Sequence, residues 1–138
     1  MRLCLLLFTL LLAGCGREPA APAEDLGLVF LALDVETVDV MQALFSGRIV
    51  ADDAGCLRFD SSEPATVIWP KGFSLGTSIE GVIVRNSSGV EIGRIGDSFR
   101  IGGGFVPSLD GIGLISEQTR QLAYARCPGQ YWIVGETL

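Results

Sequence analysis

Few residues in this 138-residue chain are of the types that ordinarily carry chemistry. Histidine is absent, which removes the commonest general base, the commonest metal ligand and the side chain that titrates near neutrality. Gly72-Phe73-Ser74-Leu75-Gly76 fits the G-x-S-x-G pattern of a nucleophile elbow. That chemistry needs a histidine base and a strand–turn–helix context. Neither is present here, and Ser74 is expected in a loop between strands. The aspartates Asp52, Asp53, Asp60, Asp97 and Asp110 offer a second chemistry. Two carboxylates about 5–10 Å apart in a cleft hydrolyse glycosides, and a cluster of them holds calcium. Their order does not follow an EF-hand loop, and Asp-Asp-Ala-Gly and Gly-Asp are ordinary turn sequences. No cofactor and no metal is expected.

Trp69, Phe73, Tyr131 and Trp132 are the remaining group of interest. Brought together by the last strand, they would form an aromatic groove for a peptide or a glycan. The competing expectation is that they fill the core, as large aromatics in a small domain do. The triplet Gly102-Gly103-Gly104 could cradle an anion through backbone N–H groups. It lacks the Lys-Ser/Thr of a phosphate loop and no helix follows, so it reads as a tight bend in a barrel strand. Asn86-Ser87-Ser88 has the form of a glycosylation sequon but reads as part of a turn.

The elements that would position these residues are mostly short strands. Segments 47–51 and 56–60 flank the turn Asp52-Asp53-Ala54-Gly55, and 65–69 is β-branched and aromatic. Segments 81–84 and 90–92 flank Asn86-Ser87-Ser88-Gly89, a strong hairpin turn. Strand 98–101 should stop at the glycine triplet, and 131–135 is the last strand. Residues 27–33 form a continuous apolar run, expected as a buried strand. Two helices are expected. In 34–46, Asp34 would cap a stripe of Val35, Val38, Met41 and Phe45; in 116–126, Ser116 would cap and Pro128-Gly129 would end the helix. The spacing predicts an all-β fold: a small, partly open, OB-like β-barrel of five to seven short strands with one or two helices.

Charge narrows the partners. The formal charge is −6, and loss of the first fourteen residues removes only Arg2, giving −7. An acidic domain lacks the Lys/Arg footprint that nucleic acid requires. It is equally unsuited to electrostatic binding of anionic lipid.

The N-terminus carries its own signal. Arg2 precedes the 11-residue run 3–13, apolar except for Thr9. A spanning helix needs about 20 apolar residues, so the run fits a secretory h-region. It ends in Leu12-Ala13-Gly14-Cys15, which resembles the lipobox of bacterial lipoproteins. The resemblance implies cleavage after Gly14, diacylglycerol on the Cys15 thiol and acylation of the new amine. Two or more acyl chains make a stable membrane anchor. Residue 16 is Gly and not the Asp that usually retains Gram-negative lipoproteins in the inner membrane. In a Gram-negative cell the expected site is therefore the outer membrane, facing the periplasm. The expected organisation is a signal peptide at 1–14, lipidated Cys15 with a flexible tether over 15–26, and a single domain over 27–138.

Of the four cysteines, Cys4 would leave with the signal and Cys15 would carry lipid. Cys56 and Cys127 remain, and two thiols in an oxidising compartment are expected to pair. Two free buried thiols are the alternative; a redox or metal-binding pair would want C-x-x-C spacing or histidine. The order Gly55-Cys56-Leu57, Trp69-Pro70-Lys71-Gly72-Phe73, Gly96-Asp97, Gly102-Gly103-Gly104 and Cys127-Pro128-Gly129-Gln130-Tyr131-Trp132 resembles a family of small exported bacterial domains. That resemblance covers 47–135, implies the Cys56–Cys127 pair, and names no reaction. The functional expectation is a non-enzymatic envelope lipoprotein, anchored in the membrane, that binds an envelope protein or glycan or serves structurally. The alternative is a hydrolase of envelope sugars built on an Asp/Glu pair.

Overall fold

The computed structural model describes residues 22–36 and 43–137, with side chains to Gly135. The expected signal peptide, Cys15 and most of the tether lie outside these residues. In chain order the strands are β1 (Leu31–Ala32), β2 (Ala43–Ala51), β3 (Leu57–Phe59), β4 (Ala65–Trp69), β5 (Ser74–Ser78), β6 (Gly81–Arg85), β7 (Glu91–Arg94), β8 (Ser98–Val106) and β9 (Gln130–Thr137). Helix α1 (Glu117–Arg126) lies between β8 and β9.

Five strands close into a barrel. β2 pairs antiparallel with β3 and β8, β3 with β4, and β8 with β9; β4 and β9 run parallel and complete the ring. Strands β2, β3 and β4 follow one another, and β8 returns after a long connection to lie beside β2, which is a Greek key. The barrel is closed, not partly open as expected. Its narrowest seam is between β3 and β4, joined at Arg58 and Thr66; beyond it β4 pairs with β1 instead, Leu31 opposite Ile68. Strands β5, β6 and β7 form a separate antiparallel sheet. Both of its connections leave from the end of the barrel where β4 finishes and β8 begins. Its Leu75 and Val84 join the barrel core beside Trp69 and Phe99, so the sheet plugs that end.

The helix expected over 34–46 does not form where it can be seen. Residues 37–42 are outside the described residues, but Ala43, Leu44, Phe45 and Ser46 are strand, in register with Gly103, Gly102, Ile101 and Arg100. A period of two wins over the helical stripe because Phe45, Gly47 and Ile49 turn inward together. The ladder to β8 also satisfies a backbone that a lone helix would leave without packing. Asp34 serves another helix. Its carboxylate accepts the N–H of Ser116 at 2.7 Å, and Ser116 caps α1 by accepting the N–H of Thr119 at 3.2 Å. The glycine triplet does not end its strand either. β8 runs to Val106, with a register shift between Gly102 and Gly103, so the bend lies inside the strand. In 27–33, strand pairing is confined to β1 and a bridge from Val29 to Cys56.

A second apolar layer lies outside the barrel. Leu31, Leu33, Ile68, Leu109, Ile115, Ala123, Tyr131 and Ile133 pack around the Cys56–Cys127 disulfide. Helix α1 holds its loop there through two side chains. Arg120 Nε donates to Leu109 O at 3.1 Å, and the Tyr124 hydroxyl accepts the Leu109 N–H at 2.9 Å.

Candidate functional site

Three of the four aromatics singled out in the sequence are interior. Trp69, Tyr131 and Trp132 are buried, so no open groove of Trp69, Phe73, Tyr131 and Trp132 exists. The reason is alternation. Trp69 and Trp132 face the barrel interior, whereas Tyr131 faces the outer layer beside Tyr124. Phe73 is half-buried and stacks on Trp69, 6.2 Å between centroids, at the plugged end. Burial pushes the Tyr131 phenol up. Its hydroxyl and that of Thr66, in register across β4 and β9, have no hydrogen-bond partner among the described residues.

Trp132 instead belongs to a different aromatic set, at the end of the barrel away from the three-stranded sheet. β2 begins there, β3 and β8 end there, and β9 begins there. Their inward positions are Phe45, Phe59, Phe105 and Trp132. Phe45 lies flat on Phe59 with centroids 3.5 Å apart. Phe105 stands edge-on to Trp132 at 5.0 Å and to Phe59 at 6.5 Å. Phe59 and Trp132 are buried, Phe45 is half-buried, and Phe105 is 49% exposed. A large ring in edge contact with a buried indole is thus left half in water at this end of the barrel.

Two glycines make room for the set. A Cβ on Gly103 would lie 2.6 Å from Trp132 Nε1 and 2.1 Å from Ile133 O. A Cβ on Gly47 would meet the Phe45 ring at 2.8 Å. The sequence reading missed Phe45, Phe59 and Phe105. The alternation Phe45, Gly47, Ile49 was available as a signal, but placing Phe45 on a helix hid it.

The disulfide joins Cys56 at the start of β3 to Cys127 at the end of α1, with Cα atoms 5.7 Å apart. Beside it Asp52 organises the β2–β3 turn. Its Oδ1 accepts the N–H groups of Ala54 at 2.9 Å and Cys56 at 2.8 Å, and its Oδ2 accepts Arg58 Nε at 2.6 Å. Arg58 then donates to Pro128 O at 3.0 Å, next to Cys127. Burial works against the Asp52 charge, but the bonds from Cys56, Arg58 and Ala54 outweigh it and hold the carboxyl below its usual value. For Asp34 the N–H of Ser116 has the same effect.

The other aspartates have local duties. Asp60 lies 3.5 Å from Arg48, Asp97 lies 3.8 Å from Arg94, and Asp110 accepts the Tyr124 hydroxyl at 2.9 Å; Asp53 is exposed in its turn. Among the described residues no three Cys, Asp or Glu side chains converge as a metal ion would require. Ser74 opens β5, opposite Arg85, and is followed by strand. It is therefore in a strand and not the expected loop. Cys15 is outside the described residues. No family model, curated protein or solved structure matches the chain.

Proposed function

We propose that this chain is a lipid-anchored protein of the bacterial envelope, held by an acylated Cys15. Its barrel is a non-enzymatic binding or structural module, and the aromatic end is its contact surface. The half-exposed Phe105 against buried Trp132 carries the reading. An isolated exposed leucine is ordinary, whereas an aromatic backed by three packed rings is a rigid anchor with little side-chain entropy to lose on binding. The partner is an envelope protein or glycan offering an apolar face. The Cys56–Cys127 disulfide fits an exported domain, because such bonds persist in oxidising compartments. The aspartates favour binding over sugar hydrolysis, since Asp52, Asp60, Asp97 and Asp110 each have a structural partner.

The test is crosslinking in native membranes with the wild type and with Phe105→Ser. The expected result is loss of a specific crosslinked product in the variant, which keeps its far-ultraviolet circular dichroism although the lost ring contacts lower its melting temperature. An identical product pattern from a folded variant would refute the contact surface.

A further inference from the structure

The described chain begins at the plugged end of the barrel. Val29 N donates to Gly55 O at 2.8 Å, and a Cβ on Gly55 would lie 2.2 Å from Gly27 O. Residues 27–29 are therefore seated on the β2–β3 turn, and the Leu28 N–H donates back to Ala23 O at 2.9 Å, which keeps the segment from Pro22 folded close to them. Both connections of the three-stranded sheet leave from that same end. The aromatic end is at the other extreme of β2, whose 9 residues span about 27 Å along the strand. With the usual barrel tilt this is about 20 Å along the axis.

Residues 16–21 are all that separate Cys15 from Pro22. Fully extended, that link reaches at most about 25 Å, and a flexible chain of its length averages about 15 Å. We infer that acylated Cys15 holds the barrel with its turn-and-sheet end towards the bilayer and its aromatic end away from it. Turning the aromatic end onto the anchoring membrane would require the link to run down the flank of the barrel stretched well beyond its average length, at the expense of its chain entropy. The acidic charge gives no compensating attraction to anionic headgroups. The orientation rests on the lipid-anchor reading. It adds that Phe105 is presented to the aqueous compartment and not to the anchoring leaflet.

The experiment uses the full-length acylated protein in vesicles whose headgroups carry an acceptor dye. Donor dyes are placed at exposed Asp53→Cys, in the β2–β3 turn, or at exposed Ser62→Cys, in the β3–β4 loop at the aromatic end. The expected result is a larger loss of donor emission at position 53 than at 62. Lengthening the link by about a dozen Gly/Ser residues should narrow the difference, because the average reach then exceeds the barrel height. Equal loss at both positions, or a larger loss at 62, overturns the orientation while leaving the anchor intact. Wild-type protein that fails to sediment with vesicles removes the anchor and the orientation together.

Discussion

Arg58 Nε donates to Asp52 Oδ2 at 2.6 Å, tying the first residue after β2 to the middle of β3. The same guanidinium donates to Pro128 O, so one cation links the β2–β3 turn to the segment after α1. The Asp52 carboxyl sits below its usual value, so the native state favours the ionised form. That stability is fully present above the unfolded value, near 3.8, and is lost as pH falls through the lower native value. Asp52→Asn should cost about 1–2 kcal/mol at pH 7, the range for a charge-assisted hydrogen bond that is partly solvated. Denaturant melts should show the gap between variant and wild type closing below about pH 4. A gap that stays constant down to pH 3 would exclude the ionic role.

The disulfide bridges positions separated by 71 residues. Chain-entropy reasoning assigns such a loop about 4 kcal/mol, less any native-state strain. Cys56→Ser should therefore lower the melting temperature by roughly 10–20 °C without changing the far-ultraviolet circular dichroism. Non-reduced exported protein should yield linked tryptic peptides, and alkylation of both thiols in that material would contradict the bond.

Gly103 has φ +153°, and a Cβ there would run into Ile133 O and the Trp132 indole. Gly103→Ala should destabilise by about 2 kcal/mol or more, since both the backbone and its neighbour must move. Gly113, whose Cβ would meet nothing within 4 Å, is the control. Similar urea midpoints for the two alanine variants would show that the close approach at Gly103 is unimportant.

Attachment is checked directly. Cys15→Ala should abolish incorporation of labelled palmitate and release the protein from the membrane fraction. Continued labelling of the variant would place the acyl group elsewhere.

Local chemistry along the chain was sufficient for a great deal. Ser116, Glu117 and Pro128-Gly129 bracket α1 because caps and breakers act within one turn. The turns at 52–55 and 86–89 are legible for the same reason, as Asp52 and Asn86 bond to backbone N–H groups two and four residues on. Pairing of Cys56 with Cys127, which the structure shows, was the expectation once the lipobox resemblance assigned Cys4 to a signal and Cys15 to lipid. The all-β barrel class followed from strand periodicity and turn spacing.

What the sequence could not supply depends on partners distant along the chain. Phe45 carries both a helical and a strand period, and only the ladder to β8 decides between them. Closure of the ring depends on β4 meeting β9 in parallel, a contact that no local pattern encodes. The same is true of the aromatic end. Trp132 looks like a neighbour of Trp69 on paper, but β9 enters from the opposite end and sets Trp132 against Phe59 and Phe105. Residue types and local spacing determined the turns and the helix. Tertiary structure alone decided which rings meet and which of them reaches water, because burial belongs to the assembled barrel and not to any one strand.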